Sequence, residues 1–212
     1  MSNYIFAGDI ANFTNIGFSD DSRYFMFAQY GVTDTVVYAE IYTVDVAGNS
    51  FVKNGISKKE YPAGSYPMED GSGAFYKGLL SLSAAVQKNR IDPLLKGRVL
   101  YININGDPVR DLEFRDFKTD KTYKINLVQN VSESASGTDS SFSLKILSES
   151  PGASAKAYSA GSPAVRRKSV KDYSLKKIFL TPDEKNMVLV VEMTIAEKDS
   201  VSVRYMVESL KL

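Results

Sequence analysis

The stretch GFSDDSRYFMFAQYG (residues 17–31) sets a polar turn against an apolar run, and a looser copy, IFLTPDEKNMVLVV, occupies residues 178–191. Aligned, Ser19 matches Thr181, Asp21 matches Asp183, Arg23 matches Lys185, and Phe25-Met26-Phe27 matches Met187-Val188-Leu189. In each copy a hydroxyl followed two residues later by a carboxylate can accept nearby backbone N–H groups and tie a tight turn. Ser22 and Glu184 stand where such a turn often wants Gly. The segments that lead out, RYFMFAQY (23–30) and NMVLVVEM (186–193), are apolar on both faces, the pattern of a central strand covered on both sides. An alternating strand follows each after a polar gap: VVYAEIYTVDV (36–46), ended by AGNS, in the first copy, and VSVRYMVESL (201–210) in the second. Each copy is a hairpin-sized unit of roughly 30–35 residues. Two such units at opposite ends are expected to be neighbours in one sheet, bringing the termini together.

Period-two alternation continues between them. RVLYININ (98–105) places Leu100, Ile102 and Ile104 on one face, TYKINLV (122–128) does so with Tyr123, Ile125 and Leu127, and SFSLKIL (141–147) with Phe142, Leu144 and Ile146. VSVRYMV (201–207) repeats it with Val201, Val203, Tyr205 and Val207. One segment, AFYKGLLSLSAAVQKNRIDP (74–93), instead spaces Phe75, Leu79, Leu82 and Val86 as a helical stripe. The spacing predicts one amphipathic helix over about 74–91 lying on a sheet face, with cap candidates in EDGSG (69–73), a stop at Asp92-Pro93, and Gly78 as a weak point. SESASGTDSS (132–141) reads as a polar turn or hairpin loop between two strands, and SESPGASAKAYSAGSPAVRRKS (148–169) as a long mobile loop in preference to a linker, because too little chain follows it for an independent core. The expectation is a mainly β fold of about ten strands in antiparallel sheets, sandwich-like or partly propeller-like, forming one domain over residues 1–212.

Composition excludes several chemistries. The 212 residues are 43% hydrophobic and 24% charged, enough for a single core without staples. Cys, His and Trp are absent, which removes disulfides, thiolate nucleophiles, the commonest general base and the usual zinc ligands. Ser-His-Asp and Cys-His catalysis within the chain are therefore excluded. At net charge +1 no global field favours nucleic acid or an anionic membrane, and no apolar run approaches the length of a spanning helix. The 13 Tyr and 11 Phe read first as sheet packing and second as interface residues.

The remaining motifs are weak. SFVK (50–53) and SLKK (174–177) match Ser-x-x-Lys but read as strand or turn, where that nucleophile motif opens a helix, and no Ser-Asp-Asn partner exists. Asp107, Asp111, Glu113, Asp116 and Asp120 form an acidic group. Paired carboxylates could hydrolyse a glycan, but Arg110, Arg115 and Lys118 are interleaved and the spacing fits no calcium loop. A solvated strand edge with salt bridges is the better reading. RRKSVKDYSLKK (166–177) is basic through Arg166, Arg167, Lys168, Lys171, Lys176 and Lys177, which reads as a charged strand edge that discourages aggregation. NGDP (105–108) reads as a turn, and DGSG (70–73) lacks the glycines and Lys-Ser/Thr of a phosphate loop.

The turn–strand copies resemble the WD-repeat-like unit of bacterial propeller proteins, whose common form is Phe-Ser-Pro-Asp-Gly-Lys before an apolar strand. Thr181-Pro182-Asp183 keeps the Pro-Asp core, and Asp20-Asp21 keeps only the Asp. Residues 7–52, the Pro-Asp turn and VRYMVES (203–209) are similar to a family of uncharacterised bacterial proteins described only as predicted secreted and known mainly from spirochaetes. That resemblance implies export to the periplasm or beyond, with Met1 standing where a signal peptide was removed, and it carries no activity.

The sequence thus points to a non-enzymatic binding or scaffolding protein of the cell envelope. Its partner would be another envelope protein or a cell-wall glycan, with no nucleic acid, no membrane span, no cofactor, and no catalytic or metal-binding residue assigned. A carboxylate-dependent glycan hydrolase is the alternative. The oligomeric state is open.

Overall fold

A computed structural model of the chain describes residues 8–64, 70–134, 137–197 and 200–212. Met1, Glu69 of the expected cap segment, and residues 135–136 of the expected 132–141 turn lie outside them. The elements are β1 (Asn12–Ser19), β2 (Tyr24–Val32), β3 (Val36–Asp45), β4 (Ser50–Pro62), α1 (Ser72–Ser81), α2 (Ser83–Lys88), β5 (Ile91–Asp92), β6 (Arg98–Ile102), β7 (Asp111–Asp116), β8 (Lys121–Ser134), β9 (Gly137–Glu149), β10 (Lys156–Lys168), β11 (Val170–Leu180), β12 (Asn186–Ala196) and β13 (Val201–Lys211).

Three antiparallel sheets result. The first runs β4-β3-β2-β1-β5, the second β13-β12-β11-β6, and the third β10-β9-β8-β7. They stack face to face with the second sheet in the middle, so the fold is of the sandwich kind. The reason lies in the doubly apolar strands. On β12, Val188 and Val190 face the first sheet and pack with Phe25, Phe27 and Val44. Met187, Leu189 and Val191 face the third sheet and pack with Ile125, Phe142 and Leu144. All five β12 side chains are fully buried. Likewise Phe25 and Phe27 of β2 point at the middle sheet, while Met26 and Ala28 point at α1. One face of helix α1 supplies Ala74 and Phe75 to that last layer, with Leu79, Leu82 and Val86 partly buried against it.

The helical stripe is therefore real, but the helix is two pieces that meet at Leu82. Gly78, the expected weak point, is buried, and a Cβ there would lie 3.3 Å from Ile41 Cδ1, so the bare glycine permits the close approach to β3. Asp70 accepts the Ser72 N–H at 2.9 Å at the helix start.

Both turn copies form as read. Ser19 Oγ donates to Asp21 Oδ1 at 2.6 Å and accepts the Tyr24 N–H at 2.8 Å. Thr181 Oγ1 donates to Asp183 Oδ1 at 2.6 Å and accepts the Asn186 N–H at 3.1 Å. Asp21 and Asp183 accept the N–H groups of Arg23 and Lys185. Ser22 and Glu184 adopt φ of 60° and 56°, the left-handed region where Gly would be unstrained. The two units are neighbours, since the Asp183 N–H reaches Ser22 Oγ at 3.2 Å, but they lie in facing sheets and not in one sheet. Face-to-face stacking lets each strand bury both faces, which edge-to-edge pairing would not. The chain start does meet the last strand, with Ile10 bridging Val203 in parallel.

Three further expectations need correction. Most of 148–169 is strand β10, paired with β9 from Lys156↔Ser148 to Ser162↔Phe142. Its small polar residues hide the alternation because only Ala160 is buried along an otherwise exposed edge. The 132–141 segment is mostly the continued β8–β9 ladder, which extends to Ser134↔Gly137. On β6 a register shift opposite Ile178/Phe179 breaks the alternation. Leu100 packs against the core together with Tyr101, while Ile102 and Ile104 are exposed. The third sheet is inserted between β6 and its partner β11, so its four strands separate two paired neighbours in the chain.

Candidate functional site

The long strands of the third sheet create a broad concavity. Their inner face holds Tyr123, Ile125, Leu127, Phe142, Leu144 and Ile146, all buried as the alternation requires. Their outer face forms a groove of about 730 Å³. Antiparallel register sets its side chains in rungs. One rung runs Asp111, Asn126, Lys145, Ser159 across β7 to β10, and the next runs Glu113, Lys124, Leu147, Ala157. Acids thus line the β7 wall, lysines the middle, and an aliphatic strip the floor toward β10. Asp111 Oδ1 accepts from Asn126 Nδ2 at 2.5 Å, and Lys124 Nζ lies 3.1 Å from Glu149 Oε2. Among the described residues Lys145 makes no ion pair, so one cation faces the groove uncompensated.

The acidic group is partly drawn into this site and partly spent elsewhere. Asp111 and Glu113 line the groove. Asp120 pairs with Arg115, and Asp107 lies in the loop held by Asn103, whose Nδ2 donates to the Asp107 carbonyl at 2.7 Å. Asp116 is buried. Arg98 grips it through Nη1 at 2.7 Å and Nη2 at 2.9 Å while also holding Glu184 through Nε at 2.9 Å. Lys118 joins through Glu184 at 2.6 Å. The Arg98 guanidinium holds the Asp116 carboxyl down to about 2, and it holds Glu184 below the usual range as well. This network ties β6 and the β11–β12 turn to the β7–β8 turn, which is a structural role.

A second polar cluster, with no signature in the sequence, sits at the seam of the first and middle sheets. Gln29 Nε2 donates to Glu40 Oε2 at 2.6 Å, Tyr42 donates to the same carboxylate, and Lys58 reaches its other oxygen at 2.5 Å. Gln29 Oε1 accepts the Tyr205 N–H at 2.8 Å. Burial pushes the Glu40 carboxyl up, but the bonds from Lys58, Tyr42 and Gln29 outweigh it and hold it below the ordinary value. Among the described residues, every carboxylate with a displaced titration (Asp21, Glu40, Asp70, Asp116, Asp183 and Glu184) is displaced downward. A glycosidase acid needs the opposite.

Ser50 opens β4 and Ser174 lies within β11, where its Oγ accepts the Val109 N–H at 2.8 Å, so neither Ser-x-x-Lys starts a helix. Arg166, Arg167 and Lys168 sit on the β10 edge as read, whereas Lys171, Lys176 and Lys177 belong to the interior strand β11, with Lys176 near Glu192 at 3.4 Å. The tyrosines mostly serve packing: Tyr38, Tyr123, Tyr173 and Tyr205 are buried. Among the described residues the exposed rings are Phe51 on β4, Tyr76 on α1 and Phe117 in the β7–β8 turn, three separate places in the fold. No group of metal-ligating side chains is assembled among the described residues, and no helix there is long and apolar enough to cross a membrane.

A family model described as Predicted secreted protein (DUF2259) matches residues 26–211, and the chain belongs to that family. No curated protein and no solved structure matches the chain.

Proposed function

Taking membership of a predicted secreted family as the premise, we propose that this chain is a non-enzymatic binding protein of the periplasmic side of the cell envelope, which holds an extended segment of another envelope protein in the outer groove of the third sheet. The observation that carries this reading is the rung pattern of that groove. Lys145 offers an unpaired cation to an acidic side chain, Glu113 an anion two residues along the ladder, and Leu147 with Ala157 an apolar strip between lysines and edge. Mixed charge with aliphatic contact suits a polypeptide. A sugar chain would call for an exposed ring to stack on, and Tyr158, the aromatic residue among those lining the groove, is partly buried against the core. The hydroxyl–carboxylate turns at 19–23 and 181–185, joined by the Asp183 N–H to Ser22 Oγ bond, are the feature on which the proposed WD-repeat-like likeness rests.

The test is recovery of partners from native envelope with the tagged chain, comparing wild type, Lys145→Glu, and the control Lys88→Glu on α2. One protein recovered by wild type and control, and lost with Lys145→Glu, is the expected result. Recovery indifferent to Lys145 removes the groove from the account, and retention on purified cell-wall glycan in place of protein removes the polypeptide.

A further inference from the structure

Strand β4 leaves its partner for four residues, at a cost in backbone strain. Its ladder with β3 pairs Ile56 with Tyr42 and Phe51 with Val44, so residues 52–55 stand opposite Thr43 alone. Asn54 there adopts a φ of 59°, in the left-handed region. A Cβ on Gly55 would lie 2.4 Å from Val52 Cγ2 and 2.8 Å from the Thr43 carbonyl oxygen, so the bulge closes only on a glycine. Bulges re-aim side chains and gather beside sites. This one, together with the end of α2, encloses a cleft of about 320 Å³.

The cleft joins cations to an apolar wall. Lys53 and Asn54 line it from the bulge, Lys88 and Asn89 from the end of α2, and no carboxylate is among the described residues around it. Val52, Leu82 and Ala85 supply the wall. Lys58 and Arg90, close by in the chain, are taken up by Glu40 and Asp20, whereas Lys53 and Lys88 make no ion pair among the described residues. Lys53 is not needed to guard the β4 edge, because the bulge already interrupts it. Thr43 also lines the cleft. It is only 3% exposed, and its hydroxyl has no hydrogen-bond partner among the described residues. A buried hydroxyl in that position is unfavourable until something supplies a partner.

We propose that this cleft binds a small organic acid, its carboxylate taken by Lys53, Lys88 and the Thr43 hydroxyl, and its short apolar body laid against Leu82, Ala85 and Val52. Two unpaired ammonium groups and a free hydroxyl donor select an anion over a cation or a neutral ligand. The apolar wall selects an organic acid over an inorganic anion. At about 30 Å³ per water the volume corresponds to about ten waters, room for a compound of about ten non-hydrogen atoms and not for a folded partner. The cleft lies on the helix-covered face of the first sheet, apart from the groove of the third, so its failure leaves the polypeptide reading untouched.

Titration of the isotope-labelled full chain with hexanoate and with benzoate, followed by backbone amide shifts, tests this. Saturable shifts on residues 52–55 and 85–89 are expected from at least one of the two acids. The matching amides, hexanamide and benzamide, and inorganic phosphate should each bind at least about tenfold more weakly. Lys53→Gln combined with Lys88→Gln, both at exposed positions, should keep the thermal melt and weaken the acid at least about tenfold. Lys59→Gln, on β4 beyond the bulge, should leave the affinity unchanged. No saturable shift from either acid overturns the proposal. So does an amide or phosphate that binds as tightly as the acid, or an acid that binds the double variant as tightly as the wild type.

Discussion

Replacing Arg98 with methionine should expose how the middle and third sheets are tied. Arg98 donates two bonds to Asp116 and two to Glu184, and the Asp116 side chain is only 3% exposed. Removing one partner of a buried pair leaves an uncompensated charge and costs about 3 kcal/mol. The pH dependence is independent of that figure. In the wild type the Asp116 carboxyl is lowered from 3.8 to about 2, a difference worth about 2 kcal/mol. A depressed folded-state value means this stability is fully present above pH of about 4 and is lost as pH falls toward about 2. In Arg98→Met the chief lowering partner is gone and burial favours the protonated acid, so acid should relieve the variant. Urea denaturation followed by far-UV circular dichroism should give a wild-type-minus-variant gap of about 3 kcal/mol at neutral pH, narrowing to about 1 by pH of about 2. A neutral-pH gap under about 1 kcal/mol, or a gap that does not narrow in acid, refutes the reasoning.

Leu189→Ala opens a cavity toward the third sheet and Val190→Ala one toward the first; each should cost about 2–3 kcal/mol with an unchanged denaturant slope, because β12 serves both cores. Two separate transitions in calorimetry of either variant would mean that the layers do not share one cooperative unit. Ser19→Ala and Thr181→Ala remove the same hydrogen-bond set from the two turns and should cost about 1 kcal/mol each; chemical denaturation that finds one of them neutral would break the equivalence. Gly97→Ala should cost about 2 kcal/mol or more in the same assay, since φ there is 74° and a Cβ would sit 2.3 Å from the Leu180 carbonyl oxygen; a silent substitution would place the crossing from first to middle sheet elsewhere.

Strand identity was legible wherever burial is one-sided or complete. Tyr123, Ile125 and Leu127 alternate because one face of β8 meets the core, and 187–191 is continuously apolar because both faces of β12 do. The turns were legible because their hydroxyl–carboxylate chemistry is local. What escaped depends on partners distant in the chain. Strand β10 is mostly Ala, Ser, Lys and Arg with a Gly and a Pro, on an exposed edge, and its two strand formers, Tyr158 and Val165, are too far apart to show an alternation. The insertion of the third sheet between β6 and β11 is decided by which apolar faces fit, which no local pattern encodes. The groove follows the same logic. Asp111 and Glu113 were visible as acids, but Lys124 and Lys145 join them only through cross-strand register. Gln29 and Glu40 look like ordinary strand polars until β13 is laid over them.

The most direct measurement is a photo-crosslinking scan in intact cells, with a photoreactive residue placed in turn at Lys145 and Asn126 in the groove, at Lys88 on α2, and at Lys58 on β4. The account predicts one discrete protein adduct from positions 145 and 126 and none from 88 or 58. Adducts that arise equally from all four positions, or from 88 and 58 while the groove stays silent, would contradict it.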